Sequence, residues 1–296
     1  MLTKNQFNVI NYLINNTGKT TQRDISEQTG ISIGSVNSSL KELNELSFLN
    51  GTAVTDNGLN IMENYRVKRA VIIAAGFGSR MVPITLNTPK PLVRVHGNRI
   101  IDSCLDALKN AGISEIYIVR GYLGEQFDQL LYKYPNLKFI ENPIFNEANN
   151  ISSIVYAGDL LKNTYIIEAD LLLYNKNLIT KYQYCTNYLG IPTTRTDDWC
   201  FYKKNGFISK MSIGGENCYK MVGISYWTEP DGQKLIKRAA ELFNSPGGKE
   251  RYWDQIPLEY YIKDFKIEIR ECTADDIIEI DTFKELKELD KSYELS

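Results

Sequence analysis

The chain has 296 residues, 43% hydrophobic and 24% charged, with a formal net charge of −2. This is the composition of a globular protein long enough for two domains, without the basic field that nucleic acid or an anionic membrane demands of a main partner. A single histidine, His96, excludes a Ser-His-Asp triad or a histidine-rich metal site that does not use it, and five scattered cysteines offer neither a zinc spacing nor a disulfide framework.

Cys104, Cys185, Cys200, Cys218 and Cys272 are expected as reduced thiols. With no signal-peptide core after Met1 and no run of membrane-spanning length, a cytoplasmic protein is expected.

From the N-terminus, residues 5–15 space Phe7, Ile10, Leu13 and Ile14 as one helical face. The run Thr20-Thr21-Gln22-Arg23-Asp24 supplies an N-cap for a short helix that Gly30 ends. A second helix starts at Ser32 or Ser35 with Val36, Leu40, Leu43 and Leu46 on one side. Residues 48–54 turn at Asn50-Gly51 as a small β-wing, and residues 55–65 close the unit as a helix.

This succession looks like a winged helix-turn-helix domain over residues 1–66. Such domains hold DNA mainly through Lys and Arg on phosphates. Here Lys4, Lys19, Arg23, Lys41 and Arg66 stand against Asp24, Glu27, Glu42, Glu45, Asp56 and Glu63. The second helix offers Ser35, Asn37, Ser38, Ser39 and Lys41, with no basic stripe. DNA is a partner open to this unit, but the charge balance favours a protein-contact, dimerisation or regulatory role. The segment Tyr65-Arg66-Val67-Lys68-Arg69 is too short for a linker, so a second domain over residues 67–296 follows closely.

That domain opens with Val71-Ile72-Ile73-Ala74-Ala75-Gly76-Phe77-Gly78-Ser79-Arg80, followed after eight residues by Pro89-Lys90-Pro91. A β-branched apolar run ending in small residues and two glycines reads as a buried strand that opens into a loop, its N–H groups free to face an anion. Arg80 adds a fork of donors for phosphate oxygens and Lys90 a point charge on a flexible stem. The glycine pair alone reads equally as an ordinary strand-to-helix turn. The Gly-Lys-Ser/Thr ending of a P-loop and the third glycine of a dinucleotide fingerprint are both missing.

In Val95-His96-Gly97-Asn98, His96 reads as a hairpin-turn residue. Helices are expected over residues 101–111, 121–134 and 149–161, with strands over 115–119, 138–140 and 165–170. Repeated βα units imply a Rossmann-like, mostly parallel α/β sheet with ligands beyond the carboxyl ends of its strands. Asp170 lies at one such end, and Asp281 follows the apolar run of residues 277–280 in the same way. Taken singly, each reads equally as a magnesium ligand or as an exposed loop residue.

The stretches AAGFGSR (74–80), TPKPL (88–92), RGYLGEQF (120–127), NPIFNEANNISSI (142–154), IIEADLLLY (166–174), GISYWTEP (223–230), RYWDQI (251–256) and IIEIDTF (277–283) resemble the bacterial CTP:phosphocholine cytidylyltransferases. These form a branch of the sugar-nucleotide pyrophosphorylase-like superfamily, and the likeness spans most of the chain after the winged helix. It implies that Ala74, Ala75, Gly76 and Gly78 line the nucleotide, that Arg80 and Lys90 hold its phosphates, and that Gly121 and Tyr122 lie near the base. It further implies that Asn149, Asn150 and Ser152 shape the base and ribose side and that Asp170 and Asp281 bind Mg²⁺.

For the acceptor, aromatic faces beside carboxylates suit an ammonium group. Trp199, Trp227 and Trp253, with Tyr252 and Asp254, are the candidates, although any single tryptophan reads first as packing. The expected reaction is transfer of CMP from CTP to phosphocholine, phosphoethanolamine or 2-aminoethylphosphonate. A sugar-1-phosphate nucleotidyltransferase is the alternative enzyme, and a nucleotide-sensing transcriptional regulator the alternative of another class.

Overall fold

A computed structural model describes residues 1–18 and 20–295. Lys19, one of the basic residues counted above, and Ser296 lie outside the described residues. The chain divides into two units, the first made of Met1–Val67 together with Tyr182–Tyr184, the second of Lys68–Lys181 and Cys185–Ser296.

In the first unit, helices Lys4–Asn15, Gln22–Thr29 and Ile33–Glu45 begin at Thr3, Thr21 and Ser32, whose hydroxyls accept backbone N–H groups of the first turn. Thr3 with Gln6, and Thr21 with Asp24, complete reciprocal capping boxes. Gly30 ends the second helix in a left-handed conformation, φ 68°. Phe7, Ile10, Leu13, Ile25, Val36 and Leu43 form the buried core. Leu46, expected on the apolar face, caps its helix and is 53% exposed.

The wing is the antiparallel pair Leu49–Asn50 and Ala53–Val54. The closing helix runs Asp56–Met62 and tightens into a 3₁₀ turn over Glu63–Tyr65. The inclusion of Tyr182–Tyr184 is invisible to a linear boundary. Gln183 donates its N–H to the Tyr65 carbonyl at 2.9 Å, and Tyr184 stacks on Tyr65 with ring centroids 5.6 Å apart.

The second unit is built on a seven-stranded sheet. Strand Arg69–Ala74 lies near its middle, parallel to both Glu115–Arg120 and Thr164–Glu168, and Lys138–Glu141 continues the parallel set on one side. Its residues from Ala70 to Ala74 are all buried, as a strand covered on both faces requires.

On the other side the sheet changes character. A long antiparallel hairpin, Asn187–Lys204 with Phe207–Trp227, joins Thr164–Glu168 antiparallel, and Glu268–Glu271 lies parallel to its first strand. This hairpin carries Trp199 and Trp227, two of the three tryptophans expected at the acceptor, yet its strands were not expected from the sequence.

Two expected helices are altered for local reasons. Residues 121–134 form a 3₁₀ helix only over Gly124–Tyr132, because Leu123 turns through φ 46° and the Tyr122 N–H is drawn to the Ala75 carbonyl at 3.0 Å. Residues 149–161 form an α-helix over Ile151–Ala157, where Gly158 at φ 50° breaks it into a 3₁₀ turn. His96, at φ 48°, and Gly97, at φ 84°, make the hairpin turn between Arg94–Val95 and Asn98–Arg99. All five cysteines are free thiols. Among the described residues, no helix is long and apolar enough to cross a membrane.

Candidate active site

A cavity of about 650 Å³ opens at the carboxyl ends of strands Arg69–Ala74 and Thr164–Glu168. Ala74, Ala75, Gly76 and Gly78 form one wall. Gly78 is required twice over: its φ is 67°, and a Cβ there would stand 3.1 Å from Cβ of Lys90 and 3.3 Å from Thr85. Packing makes no such demand at Gly76, where a Cβ would point into open space.

Asp170 follows the end of a core strand, and Asp281 follows strand Ile277–Glu279, which pairs antiparallel with Leu171–Leu173. The Ile280 N–H donates to the Asp170 carbonyl at 3.1 Å, so this two-stranded ladder sets the aspartates side by side. Lys90, 9% exposed, donates from Nζ to Asp170 Oδ2 at 2.8 Å and to Asp281 Oδ1 at 2.9 Å. Burial opposes the charge on Lys90, but attraction and hydrogen bonds from the two carboxylates outweigh it and hold its pKa above the ordinary lysine value. Arg80, largely exposed, reaches Asp281 Oδ1 at 2.9 Å.

The opposite wall carries Asn149, Asn150 and Ser152. Asn142, 2% exposed, donates to Ser152 Oγ at 2.9 Å, and Asn150 Oδ1 accepts the Trp253 N–H at 2.9 Å. Trp199, Tyr252 and Asp254 line the far end.

Four expected residues do not line the cavity. Trp227 is fully buried, donates Nε1 to Ser225 Oγ at 2.8 Å and packs edge-on against Trp253 and Phe265. Trp253 is 1% exposed and stacks on Tyr188. Both are core residues, because the sheet face beneath the cavity needs large apolar volume. Gly121 packs its backbone on Phe145, where a Cβ would come within 2.7 Å of that ring. Tyr122 turns away to donate to the Thr85 and Leu86 carbonyls at 2.8 and 3.0 Å.

Three carboxylates not singled out from the sequence belong to the cavity: Asp198 and, beside the strand-end aspartates, Glu168 and Glu279. For the two glutamates the signal was present as a repeated pattern, Glu168-Ala169-Asp170 and Glu279-Ile280-Asp281. Each Glu closes its strand two residues ahead of its Asp. Oxygens of Glu168, Asp170 and Glu279 lie within 4.8 Å of one another.

Burial, then the charges of Asp170 and Asp281, push Glu279 from 4.5 up to about 8. Burial pushes Asp254 up to about 7, and burial with the neighbouring Asp254, Asp170 and Glu279 holds Glu168 well above the ordinary range. These carboxyls ionise in the unfolded chain at lower pH than in the fold. Their contribution to stability is therefore present at acid pH and lost as pH rises toward 8. In EDTA, the melting temperature is expected to fall by several degrees between pH 5 and about 8, and to fall less in Glu279→Gln. A flat profile in both proteins would mean that these carboxyls are hydrated and ionised in the fold.

The Asp170 Oδ1 atom is buried and receives no hydrogen bond among the described residues. An anionic oxygen so placed fits a hard cation.

Comparison with known proteins identifies the family of the chain. The Nucleotidyl transferase family profile matches residues 69–187, and a Winged helix-turn-helix DNA-binding profile matches residues 2–46. The 2-aminoethylphosphonate cytidylyltransferase of Lancefieldella rimae is 36% identical over 78% of this chain and 95% of its own length. The choline-phosphate cytidylyltransferase of Haemophilus influenzae is 35% identical over 72% of this chain and 91% of its own. The solved structure of the CTP:phosphocholine cytidylyltransferase from Streptococcus pneumoniae superposes with a TM-score of 0.71 at 30% identity, covering 77% of this chain and 99% of that one. The chain thus aligns with nearly the whole of these relatives, and it belongs to the nucleotidyl transferase family.

Proposed function

We propose that this enzyme transfers the cytidylyl group of CTP to the phosphate or phosphonate of a small amine-bearing acceptor and releases pyrophosphate. The assignment rests on the convergence of Lys90 and Arg80 with Asp170 and Asp281 beneath a glycine loop at the carboxyl ends of parallel strands. The relatives named for 2-aminoethylphosphonate and choline phosphate support the acceptor class.

An acceptor oxygen attacks the α-phosphorus of CTP. A new P–O bond forms as the bond to the β-bridging oxygen breaks, and pyrophosphate leaves with the electron pair. The attacking oxygen is already ionised at neutral pH, so the chain needs no general base, and one histidine in a turn is no obstacle.

Arg80 and Lys90 neutralise charge developing on the phosphates, and the backbone of Ala74 to Gly78 allows their close approach. Asn149, Asn150 and Ser152 serve the nucleoside, while Trp199, Tyr252 and Asp254 serve the acceptor. Asp170 and Asp281 would hold Mg²⁺, with Glu279 beside them. Bound there, the ion supplies charge neutralisation and alignment of the triphosphate oxygens.

In the first unit, helix Ile33–Glu45 exposes Asn37, Ser38 and Lys41 together with Glu42 and Glu45. DNA binding through so few cations would be weak and strongly salt-dependent.

The test is pyrophosphate release with Mg²⁺, pairing CTP, UTP, GTP and ATP with amine-bearing phosphates, 2-aminoethylphosphonate and sugar 1-phosphates. Turnover confined to CTP with an amine-bearing acceptor is expected. Turnover only with a sugar 1-phosphate, or with no pair, would overturn the assignment.

A further inference from the structure

Beyond the strand-end aspartates, the cavity holds Glu168 and Asp254, which form no ion pair among the described residues. Asp254 is 4% exposed, and its Oδ1 accepts the Tyr188 hydroxyl. Glu168 lines the same cavity, beside the buried indole N–H of Trp253, which makes no hydrogen bond of good geometry among the described residues. Space for Glu168 is kept open by Gly223, where a Cβ would come within 2.7 Å of Oε2 and 2.8 Å of the side-chain carbons. The nearby cations are engaged elsewhere. Lys90 is held by Asp170 and Asp281, and Lys220 by Asp198 at 3.0 Å.

Of the aromatic residues expected at the acceptor, two face the cavity and two do not. Trp199 and Tyr252 meet at 64° with centroids 6.0 Å apart, edge toward face, while Trp227 and Trp253 are spent in the core. A trimethylammonium group has no N–H to offer carboxylates and relies on aromatic faces. A primary ammonium has three donors, and charge-assisted hydrogen bonds to buried carboxylates are the strong kind.

We infer that Glu168 and Asp254 form a reading site for a primary ammonium, so that the acceptor is a short aminoalkyl phosphate or phosphonate and not its N-trimethyl analogue. The inference rests on the cytidylyl transfer proposed above.

The probe is a methylation series, phosphoethanolamine and its N-methyl, N,N-dimethyl and N-trimethyl derivatives, with 2-aminoethylphosphonate alongside, assayed with CTP and Mg²⁺. A site built around N–H donors rejects analogues that lack them, so kcat/KM is expected to fall stepwise, by on the order of 10²-fold or more across the series. Glu168→Gln is expected to raise KM for the primary amine, to flatten the series and to leave Mn²⁺ affinity, measured by calorimetry without nucleotide, within about threefold of wild type. Equal or better use of the trimethyl compound would overturn the inference while leaving cytidylyl transfer intact. Loss of Mn²⁺ binding in Glu168→Gln with an unflattened series would make Glu168 a metal ligand and also overturn it. Turnover with none of the five acceptors would remove cytidylyl transfer to amines, and the inference with it. The wild-type series needs no variant, so a misfolded Glu168→Gln protein would still leave a decisive result.

Discussion

Replacing Asp170 or Asp281 by alanine is expected to lower kcat by on the order of 10³-fold or more at saturating Mg²⁺, through loss of charge neutralisation at the triphosphate. The two variants should differ in their side effects. Asp281 is shared by Lys90 and Arg80, so its removal frees Arg80 for the nucleotide and leaves Lys90 with Asp170 alone, and the KM for CTP should hold or fall. Asp170 carries the buried, unpartnered Oδ1, so its removal should cost more Mn²⁺ affinity in the nucleotide-free protein. Steady-state pyrophosphate release and calorimetric Mn²⁺ titration of each variant check both points. A kcat within tenfold of wild type would remove that residue from the metal site.

For Lys90→Ala, a loss in kcat on the order of 10² to 10³ is expected, since a fixed cation aimed at developing charge acts where water is largely excluded. The same change strands Asp170 and Asp281 without their shared counter-charge, so the melting temperature in EDTA should drop by several degrees at neutral pH and recover on adding Mg²⁺. Lys90→Arg should rescue little. The Lys90 stem packs against Gly78 in a nearly closed slot, and a planar guanidinium cannot present its fork to both carboxylates there. Full activity in Lys90→Arg would show that charge alone matters at this position, and near-normal kcat in Lys90→Ala would remove it from the phosphate site.

Much of this was legible from local pattern. The winged-helix elements follow from helical spacing of Phe7, Ile10 and Leu13 and from capping residues at Thr21 and Ser32. The parallel core follows from the apolar runs over residues 71–74, 115–119 and 165–169. What failed was the reading of residues whose role depends on which face of a strand meets which layer. Trp227 and Trp253 have the same local company as Trp199 and Tyr252, yet the first pair packs beneath the cavity and the second lines it. The hairpin over residues 187–227 is bulged at several points, which blurs the period-two alternation that would betray its strands.

The sequence by itself determined the winged-helix elements and the parallel core strands, the glycine loop with Arg80 and Lys90, and the strand ends that carry Asp170 and Asp281, because propensity, capping and backbone sterics act over a few residues. Only the tertiary structure decided that Leu171–Leu173 pairs with Ile277–Glu279 and so joins the two aspartates under one lysine. It also decided that Gly223 yields its space to Glu168 and that Asp254 turns from the core toward the cavity. Those placements arise from strand pairing and close packing between residues far apart in the chain, and no local pattern records them.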